Sequence, residues 1–489
     1  MTQQPTRDVV SEAATPRVAV ETNGINVIAE EERKGRPAQL FWPWFGSNVS
    51  VFGLAYGSFL LGFGISFWQA MIAGIIGIVV SFLLCGLVAI AGKRGSAPTL
   101  VLSRAAFGVT GNKVPSILSW VLTVGWETAL VSLATLATAQ LFDQLGWSGG
   151  TVTKVVALLV VAALVVGGGV LGFDAIMRMQ TVITWVTGIL TVVYIVLVAD
   201  HMDWSTVSSL PSGTLAAFVG ALVLAMTGYG FGWVNAAADY SRYLPRSASS
   251  RSVVGWTTFG GALAPVILLI AGGLLAGSDP ELSADIGLDP IGALGTLLPT
   301  WFLVPFIVVV LLGLIGGALL DIYSSGLSLL AAGLRVPRPV AASIDGTLMV
   351  LGTIAVVFFA DSFIGPFQGF LITLGVPIAA WCGIFLGDLA MRRRDCAEAE
   401  LFDVRGRYGN VQAVPLALLV IGTVLGWGLV TNTYADWLGW QGYLLEPFGL
   451  GGKDGAWAFA NLGVLAAFLL GLLGTLLLRR SAVRAQETA

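Results

Sequence analysis

Charge is scarce in this chain. Of its 489 residues only 11% are Asp, Glu, Lys or Arg, against about a quarter in soluble domains, so a water-facing shell cannot be assembled from them. Histidine occurs once, as His201 in the polar stretch Ala-Asp-His-Met-Asp-Trp, which removes histidine-based metal centres and catalytic triads. Cys85, Cys382 and Cys396 have neither ligand spacing nor a disulfide pattern, and the first two lie in apolar runs where a thiol reads as a small hydrophobe. A Walker-type phosphate loop is missing, which argues against an ATP-driven pump. An enzyme, a resident metal or cofactor and a nucleic-acid partner are therefore not expected. Residues 1–40 lack the apolar core of a cleavable signal peptide and read as a disordered cytoplasmic tail.

What is abundant is apolar. Hydrophobic residues make up 56% of the chain and the mean hydropathy is +0.86. A bilayer core takes about 20 apolar residues per helix, and the chain divides into twelve such stretches. They lie near 41–65, 68–92, 114–141, 152–172, 175–199 and 213–236, then 251–277, 299–330, 340–360, 363–391, 412–432 and 456–478. The fold class that follows is an all-α polytopic membrane protein with its lipid bilayer as a partner. The positive-inside rule tests the count. With both termini cytoplasmic, all of the 25 Lys and Arg except Lys154 and Lys453 fall on the inner side. Asp143, Asp200, Asp203, Asp279, Glu281, Asp285 and Asp289 collect outside. A miscounted helix would scramble this alternation from that point on. The cell (inner or plasma) membrane is the expected location, with residues 479–489 as a second cytoplasmic tail.

Spans 1 and 6 are unusual for lipid-facing helices. Span 1 carries Ser47, Asn48 and Ser50 among Gly46, Gly53 and Gly57; in span 6 Gly228, Gly230 and Gly232 alternate with Tyr229, Phe231 and Trp233. Each glycine weakens a helix by about 1 kcal/mol relative to alanine, and irregular backbone survives at membrane depth only where protein or a water-filled cavity satisfies it. Interrupted spans at corresponding positions five helices apart point to an inverted-repeat transporter that binds its substrate at the breaks. The repeats would be 41–199 and 213–391, with the helices of 412–478 appended.

Few acids fall inside the spans. Glu127 lies mid-span 3 and Asp321 in span 8; buried carboxyls of this kind face a cavity, protonate or find a partner. Both are candidates for proton coupling. Asp239 and Arg242, three apart at the inner end of span 6, read as a structural or gating pair.

Three stretches then carry a family resemblance: FWPWFGSNVSVFGLAYGSFLLGFGISFWQA from Phe41, Ser103-Arg104-Ala-Ala-Phe-Gly108, and GWVNAAADYSRYLPR from Gly232. Together they resemble the nucleobase–cation symporters, in particular the purine–cytosine permease branch. That resemblance implies a 5+5 inverted repeat with two extra helices and a flat heterocyclic substrate such as cytosine, adenine, guanine or hypoxanthine, imported with a cation by alternating access. Relatives such as allantoin, hydantoins or thiamine-precursor pyrimidines are the alternative cargo; an uncoupled channel or facilitator is the alternative class. Carried over by motif, Trp126 with Phe231 or Trp233 would stack on the ring, and Ser50 or Asn48, Glu127 and Asp321 would read its edge. Two departures stand out. The family's Asn or Gln four residues after the span 3 tryptophan is Leu130 here. The hydroxyl pair that sodium-coupled members use early in span 8 is replaced by Leu314-Ile-Gly-Gly-Ala318. A coupling proton is therefore expected over sodium.

Overall fold

The computed structural model describes residues 20–488, and every regular element among them is helical. The helices are numbered by span: α1 (Phe41–Gly46 and Phe52–Leu61), α2 (Phe67–Gly95), α3 (Lys113–Gln144), α4 (Thr151–Leu171), α5 (Phe173–Leu197) and α6 (Leu215–Gly228 and Gly230–Trp233). Then come α7 (Ser250–Ser278), α8 (Thr300–Ala332), α9 (Arg338–Phe359), α10 (Ile364–Met391), α11 (Ala413–Trp427) and α12 (Leu462–Leu478). Among the described residues nine helices are long and apolar enough to cross a membrane, ten if α12 and the bent Arg480–Thr488 helix count as one span. The broken α1 and the short α11 account for the other two apolar stretches.

Local chemistry sets the boundaries. Ser66 caps α2 in a reciprocal capping box with Gln69, which satisfies two donors that the first turn would leave orphaned. Gly172 at φ 93° separates α4 from α5, and Gly333 at φ 119° ends α8, both in the left-handed region that glycine adopts without penalty.

Helices five apart in sequence pack on one another: α2 on α7, α3 on α8 and α4 on α9. This is the arrangement expected when one five-helix unit is related to the next by a two-fold axis in the membrane plane. At the α1–α7 crossing, a Cβ on Gly272 would collide with the Leu54 carbonyl and one on Gly57 with the Gly272 backbone. Small residues there let two backbones touch, the main way to gain packing energy where lipid is as apolar as the helix faces.

The expected disordered tail is corrected for residues 20–40. Glu21 N donates to Leu171 O (3.0 Å), Ile28 N to Ser96 O (2.8 Å) and Lys34 N to Tyr243 O (2.7 Å), and Ile28 is buried. This polar stretch lies across the Lys/Arg-rich end of the bundle as a strap. Its order comes from partners that local sequence does not reveal, chiefly Arg242 and Arg338. The remainder of that expected tail, residues 1–19, lies outside the described residues. At the other terminus Arg480–Thr488 is a helix, with Gln486 accepting a hydrogen bond from Arg392 at 2.6 Å.

Candidate functional site

Both expected breaks occur. Helix α1 is interrupted over residues 47–51, where Asn48 Nδ2 donates to Trp44 O (2.8 Å) and Ser47 Oγ to the same carbonyl (3.3 Å). Helix α6 breaks at Tyr229, whose φ −121° and ψ −103° leave the helical region. The freed backbone of Gly230 is taken up by α2: its N–H donates to Ser81 Oγ (3.1 Å), and its carbonyl accepts from Cys85 Sγ (3.1 Å). Cys85 thus does more than fill space. A neighbouring helix satisfies the irregular backbone, as a membrane interior demands.

Between the breaks lies a cavity of about 50 Å³, room for roughly four waters. Trp126 of α3 and Trp233 and Tyr229 of α6 supply aromatic wall, with Phe52 and Tyr56 of α1; Ser47, Asn48 and Ser50 supply polar atoms. Charged side chains are missing from this lining. Tyr56 and Tyr229 face each other with ring centroids 4.5 Å apart, and Trp233 meets Trp44 edge-on at 5.8 Å. Gly313 of α8 closes the floor; a Cβ there would come within 2.9 Å of Ser50 Cα.

Of the residues expected to contact substrate, Trp126, Trp233, Ser50 and Asn48 line this cavity and Phe231, Glu127 and Asp321 do not. Phe231 turns the other way, onto Phe468 of α12 (6.0 Å). Glu127 follows Trp126 by one residue, and the 100° step of a helix carries it away from the cavity into complete burial. Leu130, one turn beyond Trp126, shares the cavity face instead. Glu127 and Asp321 are both fully or almost fully buried, and all four of their carboxylate oxygens lack a hydrogen-bond partner among the described residues.

Within electrostatic reach of Glu127 lies a third acid that sequence reasoning passed over, Asp345 of α9. Trp120 Nε1 donates to its Oδ1 (2.8 Å) and Ser325 Oγ to its Oδ2 (2.9 Å), so it ties α3, α8 and α9 together. Asp345 lies near the start of α9. Tyr229 and Tyr56 were also missed as lining residues, although the glycines flanking Tyr229 marked its neighbourhood.

Where α8 passes the α1 break, Gly316 carries no side chain to keep them apart, and a Cβ there would sit 2.6 Å from Gly46 O. The Gly316 carbonyl accepts a 2.6 Å hydrogen bond from Gln180 Nε2 of α5. A neutral amide thus occupies a backbone acceptor between α1 and α8.

The expected pairing of Asp239 with Arg242 is not formed. Residues 237–243 run in turns rather than regular helix, so three-residue spacing no longer brings side chains together. Asp239 Oδ1 accepts instead from Thr99 N and Oγ1, both at 2.8 Å. Arg242 is fully buried and donates to Glu21 Oε1 (3.0 Å), Tyr323 Oη (2.8 Å) and Gly24 O (2.7 Å). Glu21 Oε1 also accepts from Tyr243 (2.5 Å) and Tyr323 (3.1 Å), while its Oε2 accepts from Phe173 N (2.7 Å) and lies 3.6 Å from Arg338. One strap carboxylate therefore joins the end of α6 to α5, α8 and α9.

Comparison with known proteins decides the family. Residues 27–444 match the model of the permeases for cytosine/purines, uracil, thiamine and allantoin. The chain belongs to this permease family. The permease is thus a multi-pass membrane transporter and not an enzyme. It is 24% identical to a Bacillus subtilis (strain 168) protein assigned as a purine-cytosine permease, YxlA, over 90% of this chain and 93% of the relative. Identity to the purine-cytosine permease FCY2 of Saccharomyces cerevisiae is also 24%, over 91% and 85%. In fold, the permease matches Mhp1, a nucleobase-cation-symport-1 family transporter, in a closed conformation with bromovinylhydantoin bound. The TM-score is 0.68 at 18% identity, covering 96% of each chain. A substrate-bound, outward-open Na+-coupled sialic acid symporter follows at TM-score 0.62 and 11% identity, over 94% and 92%.

Proposed function

We propose that the permease imports a neutral nucleobase-type heterocycle by proton symport, through alternating access around the cavity at the α1 and α6 breaks. The observation that carries this reading is the cavity wall: aromatic rings from α1, α3 and α6, a few hydroxyl and amide groups, and no charge. Flat π-systems gain contact area and favourable geometry between such rings, whereas an ionic cargo would be stranded there without a counter-charge. Both relatives named as purine-cytosine permeases point to the same cargo class. The Lys/Arg-rich end is the cytoplasmic side by the positive-inside rule, with both termini there and the cell membrane as location. Arg242, held by the strap, then belongs to the inner gate, and Asp239 holds the turn beside it.

Proton coupling is favoured over sodium on two grounds. The middle of α8 offers no hydroxyl over Leu314–Ala318, and the Gly316 carbonyl is already engaged by Gln180. Glu127 and Asp321, with no counter-ion and no donor among the described residues, are carboxyls able to take up and release a proton during the cycle. Neither lines the cavity, which supports a part in coupling over one in reading the substrate edge.

Uptake of labelled cytosine, adenine, guanine and hypoxanthine into a transport-deficient host tests the reading. Accumulation of at least one is expected, abolished by a protonophore and indifferent to replacing sodium. No uptake across this panel and the allantoin, hydantoin and thiamine-precursor relatives would sink it. Glu127→Gln is expected to keep substrate affinity within about twofold while losing accumulation against a gradient; lost affinity instead would return the carboxyl to substrate recognition.

A further inference from the structure

Seven tyrosines are buried among the described residues. Six have hydrogen-bonded hydroxyls: Tyr56 to Gly228 O, Tyr194 to Leu294 O, Tyr240 to Leu320 O, Tyr243 and Tyr323 to Glu21, and Tyr408 from Ala397 N. Tyr229 Oη alone has no partner. A hydroxyl rotor usually finds an acceptor, and a buried polar group left unsatisfied needs an explanation. Tyr229 sits at the α6 break, lines the central cavity and is only 5% exposed. Its hydroxyl faces the α1 backbone just past that helix's own break, where a Cβ on Gly53 would lie 3.4 Å from Oη.

A second orphan belongs to Trp126 of α3, another residue of the cavity wall. Trp126 Nε1 is buried and has no acceptor among the described residues. It lies beside Gly232 of α6, where a Cβ would come within 3.1 Å. Indole N–H only donates. The other polar groups are partly committed: Asn48 Nδ2 donates to Trp44 O and Ser47 Oγ (2.8 and 3.0 Å), and Ser50 Oγ accepts from Phe52 N (3.4 Å). What stays free is a set of donors, Trp126 N–H, Tyr229 O–H and Ser50 O–H, with the Asn48 side-chain carbonyl as acceptor.

We infer that Tyr229 is a specificity-determining residue whose hydroxyl, together with the Trp126 indole N–H, selects heterocycles presenting an oxo-bearing lactam edge. The inference rests on the nucleobase reading and narrows it. A ring carbonyl accepts from the two orphan donors, and the adjacent ring N–H has Asn48 Oδ1 to donate to. A ring lacking the oxo group leaves both donors buried and unpaired, and a site built to hydrogen-bond a substrate group rejects the analogue without it.

The test is titration of purified wild-type and Tyr229→Phe permease with matched ligand pairs: hypoxanthine against purine, and cytosine against 4-aminopyrimidine. The oxo member should bind wild type at least tenfold tighter than its partner. Tyr229→Phe should lose about fivefold for the oxo member alone, so the ratio within each pair falls. Its ligand-free melting temperature should match or exceed that of wild type, because only an unsatisfied hydroxyl has been removed. Equal loss for both members, no loss for either, or a destabilised ligand-free variant overturns the inference while leaving the transport reading intact. Failure of wild type to bind any of these rings or the other heterocycles of the transport panel overturns both.

Discussion

Trp126→Ala is expected to weaken heterocycle binding while leaving the protein folded. The indole lines the cavity from α3, makes an edge contact with Phe367 at 4.9 Å and donates no hydrogen bond among the described residues. Removing it therefore breaks no polar network and widens a space that already exists. Stacking of a base on an aromatic side chain is worth about 1–3 kcal/mol by alanine substitution, so affinity should fall roughly 5- to 150-fold. Trp126→Phe keeps a ring without the N–H and should fall between the two. Titration of a bound heterocycle measures all three. Unchanged affinity in Trp126→Ala would place the substrate elsewhere.

The second large effect lies far from the cavity. Glu21→Ala should destabilise the permease by about 3–5 kcal/mol, the scale for removing one partner of a buried ion pair. Arg242 is fully buried and Arg338 nearly so, and Glu21 is the carboxylate that approaches both, at 3.0 and 3.6 Å. Tyr243 and Tyr323 lose an acceptor at the same time. Glu21→Gln keeps an acceptor without the charge and should show a smaller loss. Thermal unfolding in detergent measures the stability. Labelling of a cysteine placed at buried Ser328 reports whether the Lys/Arg-rich end has opened. Wild-type melting and protection in Glu21→Ala would show that the strap rests on this end without securing it.

How much of this was legible beforehand depends on the range of the cause. The helical spans follow from local composition, so they could be read without coordinates. The breaks were legible because Gly228, Gly230 and Gly232 act on their own backbone. The rotation of α3 was not. Trp126 and Glu127 are adjacent in sequence, and only the packing of α3 against α8 decides which of them meets the cavity. The resemblance implies Glu127 and Asp321 at the substrate edge, whereas neither lines the cavity in this chain. The strap was hidden for a related reason. Residues 20–40 are polar and locally featureless, and Glu21 finds order through partners 221 and 317 residues away. Asp239 and Arg242 show the converse error, in which a local spacing rule was applied to a segment that is not a regular helix.

The central claim is that the space between the α1 and α6 breaks is the substrate site. An experimental structure of the permease with a bound oxo-heterocycle tests it most directly. The expected density is a flat ring against Trp126 and Trp233, with its carbonyl edge toward Tyr229 Oη. A ligand seated instead in the larger outer hollow, about 500 Å³ and bordered by Phe59, Phe63 and Tyr434, with nothing at the breaks, would contradict it.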